Sequence, residues 1–161
     1  MLIMITIILA FTFLSLFING VEPTNCSYSI VIETTCAPLA ETTDVISIRF
    51  SDSSGNLVIV KHLKNPKLLY SPKGSGARKK GDLYHGFERC AIDMFEATGA
   101  CMEKNVCSLY VKKFGSDGWR PGWVKVLRRE DDGRVSPNSY PFYFRTFVPE
   151  NVWFGFDYCT S

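Results

Sequence analysis

The chain has 161 residues, 46% of them hydrophobic, enough to bury one core, and no polar linker divides it into two domains. Its formal net charge of +2 excludes the strong basic excess, gathered on one face, that marks a nucleic-acid binder. A single domain, monomeric and without a nucleic-acid partner, is the expectation.

The first segment, MLIMITIILAFTFLSLFING, has no charged side chain before Glu22 and has the length of a secretory signal. Residues 1–20 are therefore read as a signal peptide and residues 21–161 as the secreted, extracellular domain. The segment has no Lys or Arg at its start and no clean small-residue cleavage site near Gly20. An uncleaved anchor competes with this reading, because residues 2–18 are near the lower limit for a membrane span. All six cysteines, Cys26, Cys36, Cys90, Cys101, Cys107 and Cys159, follow the leader, and their even number suits an oxidising compartment. With no Cys-x-x-Cys pair and only His62 and His85 as imidazoles, a metal site built on these groups is poorly supported. Asn25-Cys26-Ser27 is an N-glycosylation sequon, which makes Asn25 a candidate acceptor.

Beyond the leader, Tyr28, Ile30 and Ile32 alternate with Ser29, Val31 and Glu33, and Ile46, Ile48 and Phe50 fall on one face of the next run. The turn Asp52-Ser-Ser-Gly-Asn56 leads into a third strand at 57–60. Residues 61–86 have no clear period and are rich in Lys, Pro, Gly and Ser, so they read as a long surface loop. Lys61, Lys64, Lys67, Lys73, Arg78, Lys79 and Lys80 face a single carboxylate there, Asp82, so the positive charge is concentrated in this loop. The plain reading is a solvated connection. The functional one is contact with lipid head groups, an acidic protein or a cell-wall polyanion such as pectin, with Lys73, Arg78, Lys79 and Lys80 as the contact residues.

Further strands are expected at 87–95, 106–112, 122–129, 140–147 and 152–158. Leu109 and Val111 alternate with Tyr110 and Lys112, Val124 and Val126 alternate with Trp123 and Lys125, and GSDGWRPG joins the two as a tight loop. Eight short strands with turn signals between them predict an all-β, antiparallel β-sandwich with little helix. Cys26 opens the first strand and Cys159 closes the last, so a Cys26–Cys159 bridge is expected if those strands are antiparallel neighbours. Cys90–Cys107 across a hairpin and Cys36–Cys101 would complete the set, although sequence alone does not choose among pairings.

Trp119 has two readings: it caps the end of the core, as aromatic side chains usually bury their area, or it projects as a membrane or ligand contact with Trp123 widening the patch. Catalysis has little support. No Gly-x-Ser-x-Gly elbow is present, Gly74-Ser75-Gly76 lies in the basic loop, and alternation puts Glu88 and Glu96 on one face and Asp93 on the other.

The order Cys-Ser-Tyr-x-Ile-x-Ile, FERCAIDMFEATGAC, GSDGWRPGWVKV and NVWFGFDYC resembles the plant embryo-specific protein 3 family, whose members look like secreted PLAT/LH2 domains. The resemblance runs from Cys26 to Cys159. It implies two four-stranded antiparallel sheets and a non-enzymatic module that contacts lipid, a membrane surface or a protein partner in embryo and seed development or stress. The alternative is a wall-associated protein holding polyanions through the basic loop. The resemblance also implies calcium as an optional cofactor, for which Asp52 with Asn56, Asp117, and Asp131 with Asp132 are the oxygen-bearing candidates. Asp93 matches the family's Asp-x-Phe pattern, in the role of fixing backbone by hydrogen bonding.

Overall fold

The structure, a computed structural model, describes residues 25–72, 84–130, 133–135 and 139–159. The expected signal peptide, Lys73, Arg78, Lys79, Lys80, Asp131 and Asp132 lie outside the described residues.

Two antiparallel sheets form the molecule. The first contains β1 (Asn25–Thr34), β4 (Lys67–Tyr70), β5 (Ile92–Ala100), β7 (Pro121–Arg129) and β8 (Phe142–Tyr143), in the order β4-β5-β1-β7-β8. The second orders β3 (Leu57–Val60), β2 (Val45–Asp52), β6 (Val106–Phe114) and β9 (Phe154–Asp157) as β3-β2-β6-β9. Period-two alternation turns Tyr28, Ile30, Ile32, Phe95, Val124 and Val126 of one sheet toward Ile46, Ile48, Phe50, Leu109 and Val111 of the other. Each such side chain contributes about 1.5–3 kcal/mol by leaving water. Because β1 is hydrogen-bonded on both sides, to β5 and to β7, neighbouring side chains also bury its outward Ser29 and Val31.

The sandwich is as expected, with a fifth strand in the first sheet. That strand, β4, lies in the segment read as loop, where Lys67 and Leu68 pair with Met94 and Asp93. It is an edge strand of four residues with no clean alternation, which is why no period announces it. The strand expected at 87–95 begins instead at Ile92, because Phe87 and Cys90 take positive φ values of 57° and 63° and turn the chain. Positive φ at Arg145 (52°) and Asn151 (56°) likewise holds β8 to two residues and starts β9 at Phe154.

The disulfides differ from the expected pairing at every bridge: Cys26–Cys101, Cys36–Cys90 and Cys107–Cys159. β1 and β9 belong to different sheets, so Cys26 and Cys159 are not neighbours. Cys26 lies opposite Gly99 on β5, which brings Cys101 within a Cα–Cα distance of 4.9 Å. β9 pairs with β6, and Tyr158 N–H donates to the Cys107 carbonyl, which sets Cys159 beside Cys107. Cys36 and Cys90 meet where the loop leaving β1 touches the turn entering β5, through Cys90 N–H to the Thr35 carbonyl. Each bridge joins segments already adjacent by hydrogen bonding.

Candidate functional site

The loops leaving β1 and β6 and the segment after β8 meet at one end of the sandwich, organised by Trp119. Its side chain is fully buried, edge-on to Phe87 at a centroid distance of 5.2 Å, with Nε1–H donating to Thr34 Oγ1 at 3.4 Å. The capping role therefore replaces the contact role weighed for this residue. Its backbone fixes the neighbours: Val148 N–H donates to the Trp119 carbonyl, and Arg120 N–H to the Ala40 carbonyl.

Projection into solvent falls instead to Leu39, 75% exposed at a φ of 59°, and to Phe147, 47% exposed. Both flank Gly118, where an added Cβ would lie 2.6 Å from the Leu39 carbonyl oxygen and 3.3 Å from the Phe147 ring. Arg120 Nε–H donates to the Arg145 carbonyl, and its guanidinium lies 5.9 Å from the Phe147 ring, while that of Arg145 lies 5.0 Å from the Tyr143 ring. One of the two apolar tips, Phe147, is thus bordered by the Arg120 cation. Leu39 lies in a stretch without a period and Phe147 closes a run read as a strand, so neither is marked in the sequence as a surface tip.

Two carboxylates at this end, Asp44 and Asp117, are engaged. Asp44 Oδ2 accepts from Lys113 Nζ at 3.1 Å and from Asp117 N–H at 2.9 Å. Asp117 Oδ2 accepts from Thr43 N–H and Oγ1–H, and these two bonds, the backbone one foremost, hold the Asp117 carboxyl below the usual range. At the opposite end Asp52 accepts from the backbone N–H groups of Ser54, Asn56, Glu103 and Lys104 and from Asn56 Nδ2. Burial pushes the Asp52 carboxyl up, and the bonds from Asn56, Lys104 and Glu103 together outweigh it and hold the group low.

Calcium does not fit Asp52 and Asn56. Both Asp52 oxygens face N–H donors, and Asn56 presents its amide nitrogen to the same carboxylate. Among the described residues no three His, Cys, Asp or Glu side chains gather as a metal site. Asp93 is buried and accepts from Phe87 N–H at 2.7 Å and from the Tyr84 hydroxyl, so it fixes backbone in the manner its motif implies.

Other expected positions are scattered. Trp123 lies half-buried on the outward face of the first sheet, between Glu33 and Tyr143. Asn25 is exposed at the start of β1, opposite Ala100. His62 and His85 come together in an open cleft of about 460 Å³ with Lys64, Asn65 and Tyr84, and none of its described lining residues is a Ser, Cys, Asp or Glu that would complete a nucleophile and base.

The family model described as Embryo-specific protein 3 (ATS3) matches residues 14–159. The chain is 37% identical over 136 residues to Embryo-specific protein ATS3A of Arabidopsis thaliana, covering 84% of this chain and 63% of that protein. It is 27% identical over 105 residues to PLAT domain-containing protein 1 of the same plant, covering 63% of this chain and 52% of the relative. The chain therefore spans less than two thirds of the length of these relatives. In fold it resembles part of coral 8R-lipoxygenase, whose structure is described as calcium activation via a C2-like domain, with a TM-score of 0.56 and 16% identity over 80% of this chain and 17% of that one. A PLAT-like sandwich with its strands, sealing tryptophan and cysteines in this order, matched along nearly all its length, belongs to the embryo-specific protein 3 family.

Proposed function

We propose that the chain is a secreted, non-enzymatic binding module whose Trp119 end rests on a lipid membrane surface after removal of residues 1–20. The observation that carries this reading is the pair Leu39 and Phe147, held outward around Gly118 with Arg120 beside Phe147. Apolar tips enter the interface while the cation meets anionic head groups. Transfer of two partly exposed apolar side chains with one adjacent arginine gives on the order of 4 kcal/mol, a reversible contact. The contact is read as independent of calcium, since Asp44 and Asp117 are already hydrogen-bonded within the protein. The PLAT-like fold and the three disulfides, which suit an oxidising compartment, support the same reading.

The test is co-sedimentation of the protein, expressed through the secretory route and oxidised, with neutral and phosphatidylserine-containing vesicles, with calcium and with chelator. Binding to the anionic vesicles, retained in chelator and lost when Leu39→Asp and Phe147→Asp are combined, is the expected result. Equal binding by the double variant, or none by the natural protein, would refute the reading and leave a protein partner as the contact. Mass analysis of the secreted product checks the removal of residues 1–20.

A further inference from the structure

The outward face of the β3-β2-β6-β9 sheet carries a second arrangement, distant in character from the loop end. Arg49 on β2 lies opposite Tyr110 on β6 and Ile59 on β3. Its guanidinium is 4.5 Å from the Tyr110 ring centroid and 4.9 Å from that of Trp153, just before β9. Gly155 lies opposite Tyr110, and a Cβ there would sit 2.6 Å from the Tyr110 Cα, so the absence of a side chain keeps this row level. One row along, Lys112 lies opposite Ser47 with its Nζ 4.6 Å from the Phe114 ring. Arg49 and Lys112 are diagonal neighbours across the strand pair, roughly 7–8 Å apart at the backbone.

Two properties separate this face from a solvated surface. Neither cation has a carboxylate partner among the described residues, whose ion pairs are Lys113–Asp44, Arg128–Glu130 and Arg129–Glu96. The guanidinium is also held in place by attraction to two rings and makes no hydrogen bond within the described residues. A planar fork of N–H donors is thereby fixed in orientation and left for an external acceptor, the geometry that matches a carboxylate in bidentate fashion. Ile59 and Phe114, 51% and 42% exposed, set apolar surface beside the charges.

These side chains stand on strands, so they make a flat strip instead of a tip that enters lipid. Fixed cations alternating with apolar and aromatic surface fit a linear chain of rings that carry carboxylates. We infer that this face binds an acidic polysaccharide of the uronate class, with Arg49 gripping one carboxylate, Lys112 a neighbouring one, and Phe114 and Ile59 lying against the C–H faces of the sugar rings. This differs from attraction by a charged loop, because it depends on one oriented guanidinium.

The experiment measures binding of the oxidised protein to polygalacturonate, to its methyl-esterified form and to polyglutamate, by titration calorimetry at two salt concentrations. The natural protein should prefer polygalacturonate to both others. Arg49→Ala should weaken that binding roughly tenfold or more, as expected on losing a charge-assisted hydrogen bond, and Arg49→Lys should fall nearer to Arg49→Ala than to the natural protein. The Leu39→Asp, Phe147→Asp protein should bind polygalacturonate normally, which separates this face from the membrane-contact end. Thermal midpoints that leave both Arg49 variants fully folded at the assay temperature exclude unfolding as the cause. Absence of polygalacturonate binding, equal binding by Arg49→Ala, or equal binding of polyglutamate would each overturn the inference.

Discussion

Lys113 is a charge enclosed by the fold, and Asp44→Ala would expose what its partner does. The Lys113 side chain is 2% exposed and that of Asp44 13%. The ammonium has two acceptors among the described contacts, Asp44 Oδ2 at 3.1 Å and the Gly115 carbonyl at 2.7 Å. Removing the carboxylate leaves the cation with a single neutral acceptor in a space closed to water. Breaking a buried pair from one side costs about 3–5 kcal/mol. The same substitution strips the Asp117 N–H of its acceptor, an exposed bond that adds about 1 kcal/mol at most. A domain with a stability of roughly 5–15 kcal/mol would thus lose a large part of it. Lys113→Met alone removes the charge while keeping the aliphatic stem, and Lys113→Met combined with Asp44→Ala should recover most of the loss, because a buried ion pair and an apolar replacement of similar volume are often equivalent. Urea unfolding with intact disulfides, followed by tryptophan fluorescence, measures all four proteins. A loss below about 1 kcal/mol for Asp44→Ala, or a double variant no more stable than the single one, would refute the argument that an uncompensated charge sets the cost.

Trp119→Ala should cost about 3–5 kcal/mol in the same assay, since it opens the end of the core. Asp52 should make stability depend on acid: its folded carboxyl is held below the ordinary value, so its contribution is complete above that ordinary value and is lost as pH falls through the lowered one. Unfolding measured from neutral pH downward should show this decline, and Asp52→Asn should flatten it while costing about 1–3 kcal/mol at neutral pH, because its amide cannot accept from all five N–H donors.

How much of this was legible in the sequence follows from the range of each interaction. Alternation announces a strand wherever one face is buried, so Tyr28-Ile30-Ile32, Ile46-Ile48-Phe50, Leu109-Val111 and Val124-Val126 could be read directly. The edge strands β4 and β8 bury too little to impose a period. Strand pairing is carried by contacts across the sheet, and the disulfides follow pairing: assuming β1 and β9 to be neighbours displaced Cys26–Cys101 and Cys107–Cys159, and assuming a hairpin between Cys90 and Cys107 displaced Cys36–Cys90. Asp52 reads locally as a turn residue, yet two of its donors lie at Glu103 and Lys104, far along the chain. Arg49, Tyr110 and Trp153 come from three segments, and no motif links them.

The same physics explains where this fold can hold function. Core positions are committed in pairs across the sandwich: Trp119 seals one end against Phe87, and Asp52 knots the other through five N–H donors. A change at either place alters stability before it alters binding. Leu39 and Phe147 lie outside the core on backbone that Trp119 already fixes, and the Arg49 side chain is tied only to two rings on the outer face of its sheet. Substitution at those positions should therefore change what the molecule contacts at little cost to the fold, and this is why paired measurements of binding and unfolding separate the membrane-contact end and the polysaccharide face from the scaffold that presents them.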